Sequence, residues 1–430
     1  MLQAVTAVTP PGPDLAGAEI LARAGDAFAR RLDPASPAPL AIGFSGGGDS
    51  LALLLAARAW TRAHGRPLLA LTVDHGLNPE SGAWTARAAR TAAELGAGFR
   101  ALNWNAAKPA AGLPAAARRA RHALLAEAAR QAGASVLLLG HTHDDVREAG
   151  WMRSQGSSVG APREWAPSPA WPEGRGVFLL RPLLRLRRAE LRALLAGSGL
   201  DWIEDPANDD PGSLRSLARR SPFEPAAAAP PPPAAGQFRV DASGSVRLGR
   251  DADRRLLAMA CVCAGGGERL PRGDGLDRLM ARLACGEAFV ATLAGARIEA
   301  GQSVLVCRDP GRLAPPELAP TPGDPVVFDG RFEIIARLPG LIVRPLGGLV
   351  SRLEKPARLS LGAFPPWARR SLPALLNSDG TVTCPILAQS AWGSARALVG
   401  DRLEAACGRI ARESPLAAPS HGEGDTGALS

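Results

Sequence analysis

Lysine and tyrosine are the residues that this chain most lacks. Lysine occurs only at Lys108 and Lys355, and there is no tyrosine among the 430 residues. A Walker-type phosphate loop ends in Gly-Lys-Ser/Thr, and its lysine reaches the outer phosphates of a nucleotide. The chain has no such sequence, so a phosphate site in it must rely on backbone amides, Mg²⁺ and arginine.

Cysteine is confined to the second half of the chain. The first is Cys261, and the six cysteines follow neither a regular disulfide pattern nor the spacing of zinc ligands. Cys261 and Cys263 lie in an apolar helical segment, where core packing is more common than a metal site. The first 260 residues therefore offer no thiol for chemistry.

Long apolar runs are absent as well. No stretch reaches the ~20 residues that a membrane helix needs. The N-terminus has no basic segment, and Pro10, Pro11 and Pro13 interrupt any apolar core there, so no signal peptide is apparent. These features predict a cytoplasmic protein with no membrane partner, and they imply no protein partner.

Length and charge suggest several domains and a polyanionic partner. A chain of 430 residues suits two or three domains, each with its own core. Lys+Arg number 50 against 41 Asp+Glu, and the net charge is +9. Such a balance favours a polyanion over a neutral or basic partner.

The most informative motif is a glycine-rich turn between an apolar strand and a helix. It comprises Ser45, Gly46, Gly47, Gly48, Asp49 and Ser50, after the strand-like run 39–44 and before the helical run 51–63. Glycines let consecutive N–H groups converge on an anion at the positive end of a helix. We therefore predict a phosphate cradle, with hydroxyl donors at both ends and Asp49 facing Mg²⁺. An ordinary glycine-rich turn is the less favoured alternative.

Strand-like and helix-like runs alternate along the first half of the chain. Strands are expected at 39–44, 67–73, 99–104, 135–140 and 177–180, with helices at 16–32, 51–63, 82–95, 114–132 and 187–196. This alternation predicts a doubly wound, mostly parallel α/β sheet of the Rossmann-like kind. Ligands bind such sheets at the carboxyl ends of the strands.

The second half has a different composition. A run rich in proline and alanine at 221–238 is expected to be a linker that separates a catalytic domain, 1–220, from the C-terminal half of the chain. Residues 239–320 are predicted to be helical and then strand-rich, and 321–412 to form a small mixed α/β or β-rich module. The polar tail 413–430 is expected to be disordered.

Acidic residues and histidines come directly after two of the predicted strands. Asp74 and His75 come after the second strand, and His141, Asp144 and Asp145 come after the fourth. Each set has a structural alternative, since aspartates commonly begin helices and histidines are often merely solvated. Downstream of a phosphate cradle, we favour contacts with nucleotide, Mg²⁺ or a cationic substrate.

Two groups of arginines complete the candidate residues. Arg118, Arg119 and Arg121 lie on the helix before the fourth strand, and a solvated face explains them as well as a phosphate contact does. Arg215 and Arg219 are four residues apart. They would share one helix face, as a phosphate clamp requires.

In this order, the segments SGGGDS, VDHGL, ARRARH, GHTHDD, RPLL and EDPAN resemble the tRNA(Ile)-lysidine synthase family of PP-loop ATP pyrophosphatases. The resemblance covers about residues 38–220, and residues 365–373 more faintly resemble the family's C-terminal domain. It implies an enzyme that uses ATP and Mg²⁺ to adenylate C2 of the wobble cytidine of isoleucine tRNA. Free lysine then replaces AMP through its ε-amine.

The resemblance also implies roles for individual residues. Asp49 would hold Mg²⁺, and Asp74 and His75 would border the nucleotide on the cradle. Asp144 and Asp145 would receive lysine or a second metal contact. Phosphate of ATP or tRNA would be neutralised by Arg118, Arg215 and Arg219, and the C-terminal module would contact tRNA.

The sequence departs from the family pattern at a few positions. Thr142 replaces a second histidine, Val146 a glutamine, Ala149 a threonine and Ser216 an asparagine. The alternatives are a tRNA thiolase, a small-molecule amidating synthetase and a catalytically idle tRNA-binding relative. The cysteine-free first half disfavours the thiolase, because sulfur transfer needs cysteines near the nucleotide.

Overall fold

A computed structural model describes residues 15–157, 159–204, 214–221, 223, 234, 236–271, 273–311 and 315–416. Within it the chain forms two compact units. One takes in the chain up to Pro231 together with Ile410–Leu416, and the other takes in Pro232–Arg409. The break falls inside the segment expected to be a linker, most of which lies outside the described residues. The two modules expected after it share the second unit.

The first unit is built on a six-stranded sheet in the order β3-β2-β1-β4-β6-β5. Its strands are β1 Leu40–Gly43, β2 Leu68–Asp74, β3 Gly98–Asn103, β4 Val136–Leu138, β5 Trp165–Pro167 and β6 Phe178–Leu180. All neighbours are parallel except β5, which pairs antiparallel with β6. The predicted α/β class with a mostly parallel sheet is confirmed.

Seven helices accompany this sheet in the described part of the first unit. They are α1 Leu15–Arg31, α2 Gly48–His64, α3 Ser81–Glu94, α4 Leu113–Gln131, α5 His143–Ser154, α6 Arg188–Gly197 and α7 Leu214–Arg220. The central strands are apolar on both faces, since Ala41 packs in one core cluster and Leu40 and Ile42 in another. Two-sided burial is typical of parallel sheets covered by helices.

Strand order reverses between β1 and β4, which are parallel neighbours with Ala41 opposite Leu137. The turn after β1 leads into α2, and the turn after β4 leads into α5. Both turns therefore lie at the switch point, where sheets of this kind bind ligands. The edge strand β5 was not predicted, because its three residues Trp-Ala-Pro show no alternation and proline is tolerated only at a sheet edge.

The second unit is mainly antiparallel. A five-stranded sheet has the order β7-β8-β11-β10-β9, and two three-stranded sheets have the orders β12-β13-β17 and β14-β15-β16. The strands are β7 Phe238–Val240, β8 Val246–Leu248, β9 Phe289–Leu293, β10 Ala296–Ala300, β11 Val304–Arg308, β12 Pro325–Phe328, β13 Phe332–Ala336, β14 Ile342–Pro345, β15 Pro373–Leu376, β16 Val382–Thr383 and β17 Gly393–Ala397. The helices are α8 Arg254–Ala264, α9 Gly275–Ala284, α10 Lys355–Ser360, α11 Pro366–Arg369 and α12 Val399–Ala406. Helices α8 and α9 precede β9, β10 and β11, as expected for residues 239–320, but β7 and β8 come before both helices and were not predicted.

A short C-terminal segment, Ile410–Leu416, belongs to the first unit, and we call it the C-terminal strap. Its Glu413 carboxylate accepts two hydrogen bonds from Arg66, at 2.8 and 2.9 Å, and one from the backbone N–H of Asp33 at 3.0 Å. The Arg66 and Glu413 side chains are 1% and 2% exposed. Residues 413–416 thus differ from the disorder expected of 413–430. Their anchor is a charge pair 347 positions apart in sequence, which no local pattern reveals. Residues 417–430 lie outside the described part.

Candidate active site at the carboxyl ends of the strands

The phosphate cradle, Ser45 to Ser50, forms the turn between β1 and α2. Gly46 has a φ of +80°, a left-handed conformation that favours glycine. The Ser50 hydroxyl donates to the Gly47 carbonyl at 2.8 Å, and it accepts from the Ser45 backbone N–H at 3.3 Å. The Ser50 hydroxyl was predicted to donate to a ligand. In the structure its hydrogen bonds stabilise the conformation of the loop.

Residues that come after α6 cover the cradle. The backbone N–H of Ile203 donates to the Gly46 carbonyl at 2.9 Å. A Cβ on Gly46 would lie 2.5 Å from Cδ1 of Ile203, and one on Gly48 would lie 3.4 Å from the Trp202 ring. Glycine is thus required at Gly46 for close approach as well as for backbone angle. Sequence reasoning did not identify Trp202 or Ile203 as part of the site.

Four carboxylates gather beside the cradle, and we call Asp49, Asp144, Asp145 and Glu148 the acidic cluster. Asp49 lies in the first turn of α2, and the other three lie in the first half of α5. Asp145 is 8% exposed and accepts hydrogen bonds from the backbone N–H of Thr142 at 2.8 Å and its hydroxyl at 3.0 Å. Asp145 therefore also caps the start of helix α5 together with Thr142, so its structural alternative holds alongside its place in the cluster.

Arg188, at the start of α6, joins the members of the acidic cluster. Its Nε donates to Asp49 at 3.0 Å, its Nη1 to Glu148 at 3.3 Å, and its Nη2 lies 3.6 Å from Asp145. Its backbone N–H donates to Asp144 at 2.8 Å. One residue therefore connects the phosphate-binding helix α2 with helix α5.

Helix α7 is also tied to the acidic cluster. Arg219 donates through Nε to Glu148 at 3.0 Å, so Glu148 accepts from two arginines while its side chain is only 4% exposed. Arg147 donates to the backbone carbonyls of Ser221 and Phe223. The structure thus places Arg219 against a carboxylate rather than in an open clamp. The side chain of Arg215 and residues 205–208 of the EDPAN segment lie outside the described part.

The protonation of Asp49 reflects these surroundings. Burial raises the pKa of Asp49, and the positive charge of Arg188 opposes that rise without cancelling it. Asp145 and Asp144 raise it further through like-charge repulsion. For Arg188, burial would lower the pKa, but the charges of Asp49 and Asp145 raise it above its ordinary value. The guanidinium therefore stays charged.

A cationic region adjoins the acidic cluster. Arg181 is 7% exposed and donates through Nε to Nδ1 of His141 at 3.2 Å. Burial and the charge of Arg181 lower the pKa of His141 to about 3, and burial with Arg121 and Arg118 lowers that of His122 to about 3. Arg118 thus lies close enough to both histidines to act on them by charge.

The residues after β2 are less closely connected to the cluster. Asp74 accepts a hydrogen bond from the Gly76 N–H at 2.7 Å and so shapes the turn. His75 packs edge-on against Trp104, and its Nδ1 is buried without a hydrogen-bond partner among the described residues. Burial lowers the pKa of His75. An unsatisfied ring nitrogen at this edge of the sheet suits a polar ligand.

Two residues of the acidic cluster's network escaped sequence reasoning. Glu148 lies three residues after Asp145, a spacing that places both on one helix face, and this signal was available. No local signal singles out Arg188, because two further arginines, Arg185 and Arg187, come just before it in the sequence. Only the fold shows which of the three contacts the acidic cluster.

The fold and the lysine-free phosphate cradle define a PP-loop nucleotide-binding protein. Consistently, a family model described as "PP-loop domain" matches residues 22–224. Over 398 residues the chain is 53% identical to a tRNA(Ile)-lysidine synthase of Caulobacter vibrioides, covering 90% of this chain and 98% of that protein. A tRNA(Ile)-lysidine synthase of Hyphomonas neptunium is 37% identical, covering 70% of this chain and 90% of that protein. The chain belongs to the tRNA(Ile)-lysidine synthase family, which confirms the resemblance drawn from its motifs.

Solved structures include a U34-tRNA thiolase of Methanococcus maripaludis, with 20% identity and a TM-score of 0.41 over 47% of this chain and 70% of that one. In the described part of the chain no helix has the length and apolar character needed to cross a membrane.

Proposed function

We propose that this chain is an ATP-dependent ligase that converts the wobble cytidine of isoleucine tRNA, in a CAU anticodon, to lysidine. The observation that carries the proposal is its 53% identity to a tRNA(Ile)-lysidine synthase over 98% of that protein. The site supports it, because a phosphate cradle and an acidic cluster lie together at the switch point of the sheet.

The reaction has two steps. In the first, O2 of the cytidine bonds to the α-phosphorus of ATP, and the bond between the α and β phosphates breaks to release pyrophosphate. In the second, the lysine ε-nitrogen bonds to C2, the bond between C2 and oxygen breaks, and AMP leaves. The ammonium of lysine must lose its protons, and carboxylates of the acidic cluster are suited to accept them.

The cradle would hold the phosphates of ATP through backbone N–H groups at the start of α2. Among the described residues, no three histidine, cysteine, aspartate or glutamate side chains are so placed that they could hold a metal ion together, the acidic cluster included. Mg²⁺ is usually held by one or two carboxylates together with substrate phosphates, and Asp49 beside the cradle fits that arrangement. The ion would neutralise charge that develops on the leaving pyrophosphate.

Lysine would bind at the acidic cluster on α5. Asp144 and Asp145 were proposed from the sequence, and Glu148 joins them because it shares Arg188 with Asp145. A buried carboxylate surrounded by arginines can exchange one cation for another, and the ammonium of lysine is such a cation. Arg118 would neutralise phosphate from the cationic side, and Arg215 remains a proposed phosphate contact.

The second unit would bind the body of the tRNA. Residues 321–409 contain eleven arginines and lysines against seven aspartates and glutamates. Contacts to phosphates release counterions, so such binding weakens steeply with salt. A tRNA substrate would also place the enzyme in the cytoplasm, as the sequence predicts.

The rival functions are less well supported. A tRNA thiolase would need a reactive thiol near the nucleotide, but the first 260 residues contain no cysteine. Of the six cysteines in the second half, five are buried and Cys285 is exposed. A catalytically idle relative would bind tRNA without consuming ATP. A small-molecule synthetase would have no polyanionic substrate for the basic second unit to bind.

The deciding experiment is incorporation of labelled lysine into unmodified isoleucine tRNA with the CAU anticodon. We expect incorporation that depends on ATP and Mg²⁺ and is accompanied by pyrophosphate release. The matched control is the same tRNA with uridine at the wobble position, which should accept no lysine. Tight tRNA binding without lysine incorporation or pyrophosphate exchange would overturn the proposal.

A further inference from the structure

Arg188 occupies an unusual place for an arginine, because it lies inside the site proposed to receive a cationic substrate. Its guanidinium contacts Asp49, Asp145 and Glu148, and its side chain is 21% exposed. These contacts take up carboxylate oxygens that a lysine ammonium would otherwise use. The chain therefore carries its own cation in the acidic cluster.

The three contacts of Arg188 are unequal. The bond to Asp49, at 3.0 Å, is the shortest, while Glu148 is at 3.3 Å and Asp145 at 3.6 Å. Asp49 adjoins the cradle, so the guanidinium is held nearest the place where phosphate is to bind. Arginine bonds phosphate oxygens strongly and through two N–H groups at once. A bound triphosphate would thus compete with Asp145 and Glu148 for the same guanidinium.

The loss of Arg188 would affect Asp145 and Glu148, two of the three carboxylates on α5, unequally. Glu148 keeps Arg219 at 3.0 Å, and Asp145 keeps its bonds to Thr142. Each carboxylate would therefore keep a hydrogen-bond donor after the loss of Arg188, while the cation that the two of them share would be missing. Helix α5 itself begins at the same place, because the Thr142 bonds do not involve Arg188.

Building on the proposed function, we infer that Arg188 is a positioning residue that couples the two substrates. In the free enzyme it holds Asp49, Asp145 and Glu148 together, and bound ATP draws it toward phosphate and frees Asp145 and Glu148 for the ammonium of lysine. Lysine then binds tightly only after ATP. Because coupling between two ligands is reciprocal, lysine tightens ATP binding by the same factor.

The test measures lysine affinity of the full-length protein by calorimetry, with and without an α,β-non-hydrolysable ATP analogue and Mg²⁺. We expect the wild-type protein to bind lysine at least tenfold more tightly with the analogue. In Arg188→Gln this ratio falls below about threefold, because lysine binds the nucleotide-free variant more tightly than it binds the wild type. In Arg188→Lys the ratio lies in between, since an ammonium cannot reach three carboxylates at once.

Arg185→Gln is the matched control, because it removes an exposed arginine three residues earlier and should keep the wild-type ratio. Equal lysine affinity with and without the analogue in wild type would overturn the inference, as would a wild-type ratio in Arg188→Gln. If that variant does not fold, a wild-type ratio in Arg188→Lys overturns it equally. Failure of wild type to incorporate lysine into tRNA would instead reject the proposed function.

Discussion

Asp49 is the residue at which the phosphate cradle and the acidic cluster meet. Its position in the first turn of α2 is set by the local sequence, since the glycines before it begin the helix. Its partner Arg188 comes from 139 residues away. The same carboxylate is therefore a local feature of a turn and a member of a network that only the fold creates.

Replacing Asp49 tests the first chemical step. We expect Asp49→Ala to lower tRNA-dependent ATP–pyrophosphate exchange by about 10²- to 10³-fold, the usual loss when one electrostatic stabiliser of a reacting group is removed. The tRNA affinity should stay nearly unchanged, because Asp49 lies at the cradle. The control is Asp26→Ala on the exposed face of α1. Exchange at the wild-type rate in Asp49→Ala would show that Asp49 holds no metal needed for adenylation.

The buried histidines predict how stability depends on pH. The pKa of His122 is about 3 in the folded protein, whereas a histidine in an unfolded chain titrates near 6.5. As pH falls from about 6.5 toward 3, the unfolded chain gains a proton that the folded chain does not, so the free energy of unfolding decreases. The decrease approaches about 1.4 kcal/mol per pH unit for each such histidine.

This pH dependence is measured by denaturant unfolding of wild type and His122→Gln between pH 7 and pH 4. The variant should show the shallower decrease in stability, because one of the two strongly shifted histidines has been removed. Slopes are compared rather than absolute stabilities, since glutamine also changes packing. Parallel slopes for the two proteins would mean that folding does not lower the pKa of His122.

At the scale of elements, the turn between β1 and α2 is the part of the site that its own sequence determines most fully. The apolar residues before the glycines form the buried strand β1, and those after them form the buried helix α2. The polar backbone groups of the turn between them must bind a ligand or be covered by other residues. The structure shows that it is covered by Trp202 and Ile203. That cover depends on where α6 ends, which the sequence of the turn does not contain.

Two glycines flank helix α2, and comparing them separates the effect of backbone strain from the effect of the close contact with Ile203. Gly46 before the helix has a φ of +80° and meets Ile203, while Gly65 after it has a φ of +65° and nothing within 4 Å. Alanine at either position should cost about 1–2 kcal/mol of stability through backbone strain. Only Gly46→Ala should also weaken ATP binding, by about tenfold or more, because Ile203 must move. Thermal unfolding and ATP titration measure the two effects, and equal ATP affinity in both variants would contradict this role of Gly46.

Helix α5 shows how one segment can satisfy two interpretations. Asp145 caps the start of the helix together with Thr142, which is the structural alternative, and it also contacts Arg188. Sequence reasoning could name both possibilities because aspartate suits both. It could not decide between them, since the deciding partner lies on α6.

At the scale of the whole molecule, the C-terminal strap connects the end of the chain to the amino ends of the sheet strands. Arg66 donates to the Ala38 and Asp33 carbonyls as well as to Glu413, and Glu413 also accepts from Ser135 just before β4. Removing one partner of a buried ion pair typically costs about 3–5 kcal/mol, because the other charge stays buried without compensation. We therefore expect the strap to contribute to the free energy of unfolding of the first unit.

We expect Glu413→Gln to lower the free energy of unfolding by about 3 kcal/mol or more, measured by denaturant unfolding. Glu127→Gln is the control, since its ion pair with Arg130 is partly exposed and spans one helical turn. Such pairs contribute only about 0.2–0.5 kcal/mol. Equal losses in the two variants would show that the buried pair is not a main support of the fold.

The strap changes how the tRNA-binding role of the second unit should be tested. Truncation after Pro225 would remove Glu413 and leave the charge of Arg66 buried without its carboxylate, so loss of activity would not isolate tRNA binding. A better variant replaces residues 234–409 with a short glycine-serine linker and keeps the strap. We expect it to bind ATP normally but to bind tRNA more weakly and with a smaller salt dependence. Wild-type tRNA affinity in this variant would place the tRNA contacts in the first unit.

The sequence by itself determined those features that depend on residues close together in the chain. The single strands and helices, the cradle and the acidic residues at strand ends are each encoded in runs of about twenty residues or fewer, because strand and helix formation depend on local periodicity and on glycine. The family resemblance rests on the order of such local segments, and the relatives confirm it.

Only the tertiary structure decided which charges meet. Arg188 with Asp49, Arg219 with Glu148 and Arg66 with Glu413 are each separated by tens to hundreds of residues. In a chain with 50 lysines and arginines and 41 aspartates and glutamates, composition leaves the number of possible pairs very large. The physical reason is that charge attraction has no sequence register, so the packing of α6, α7 and the strap against the sheet selects the pairs.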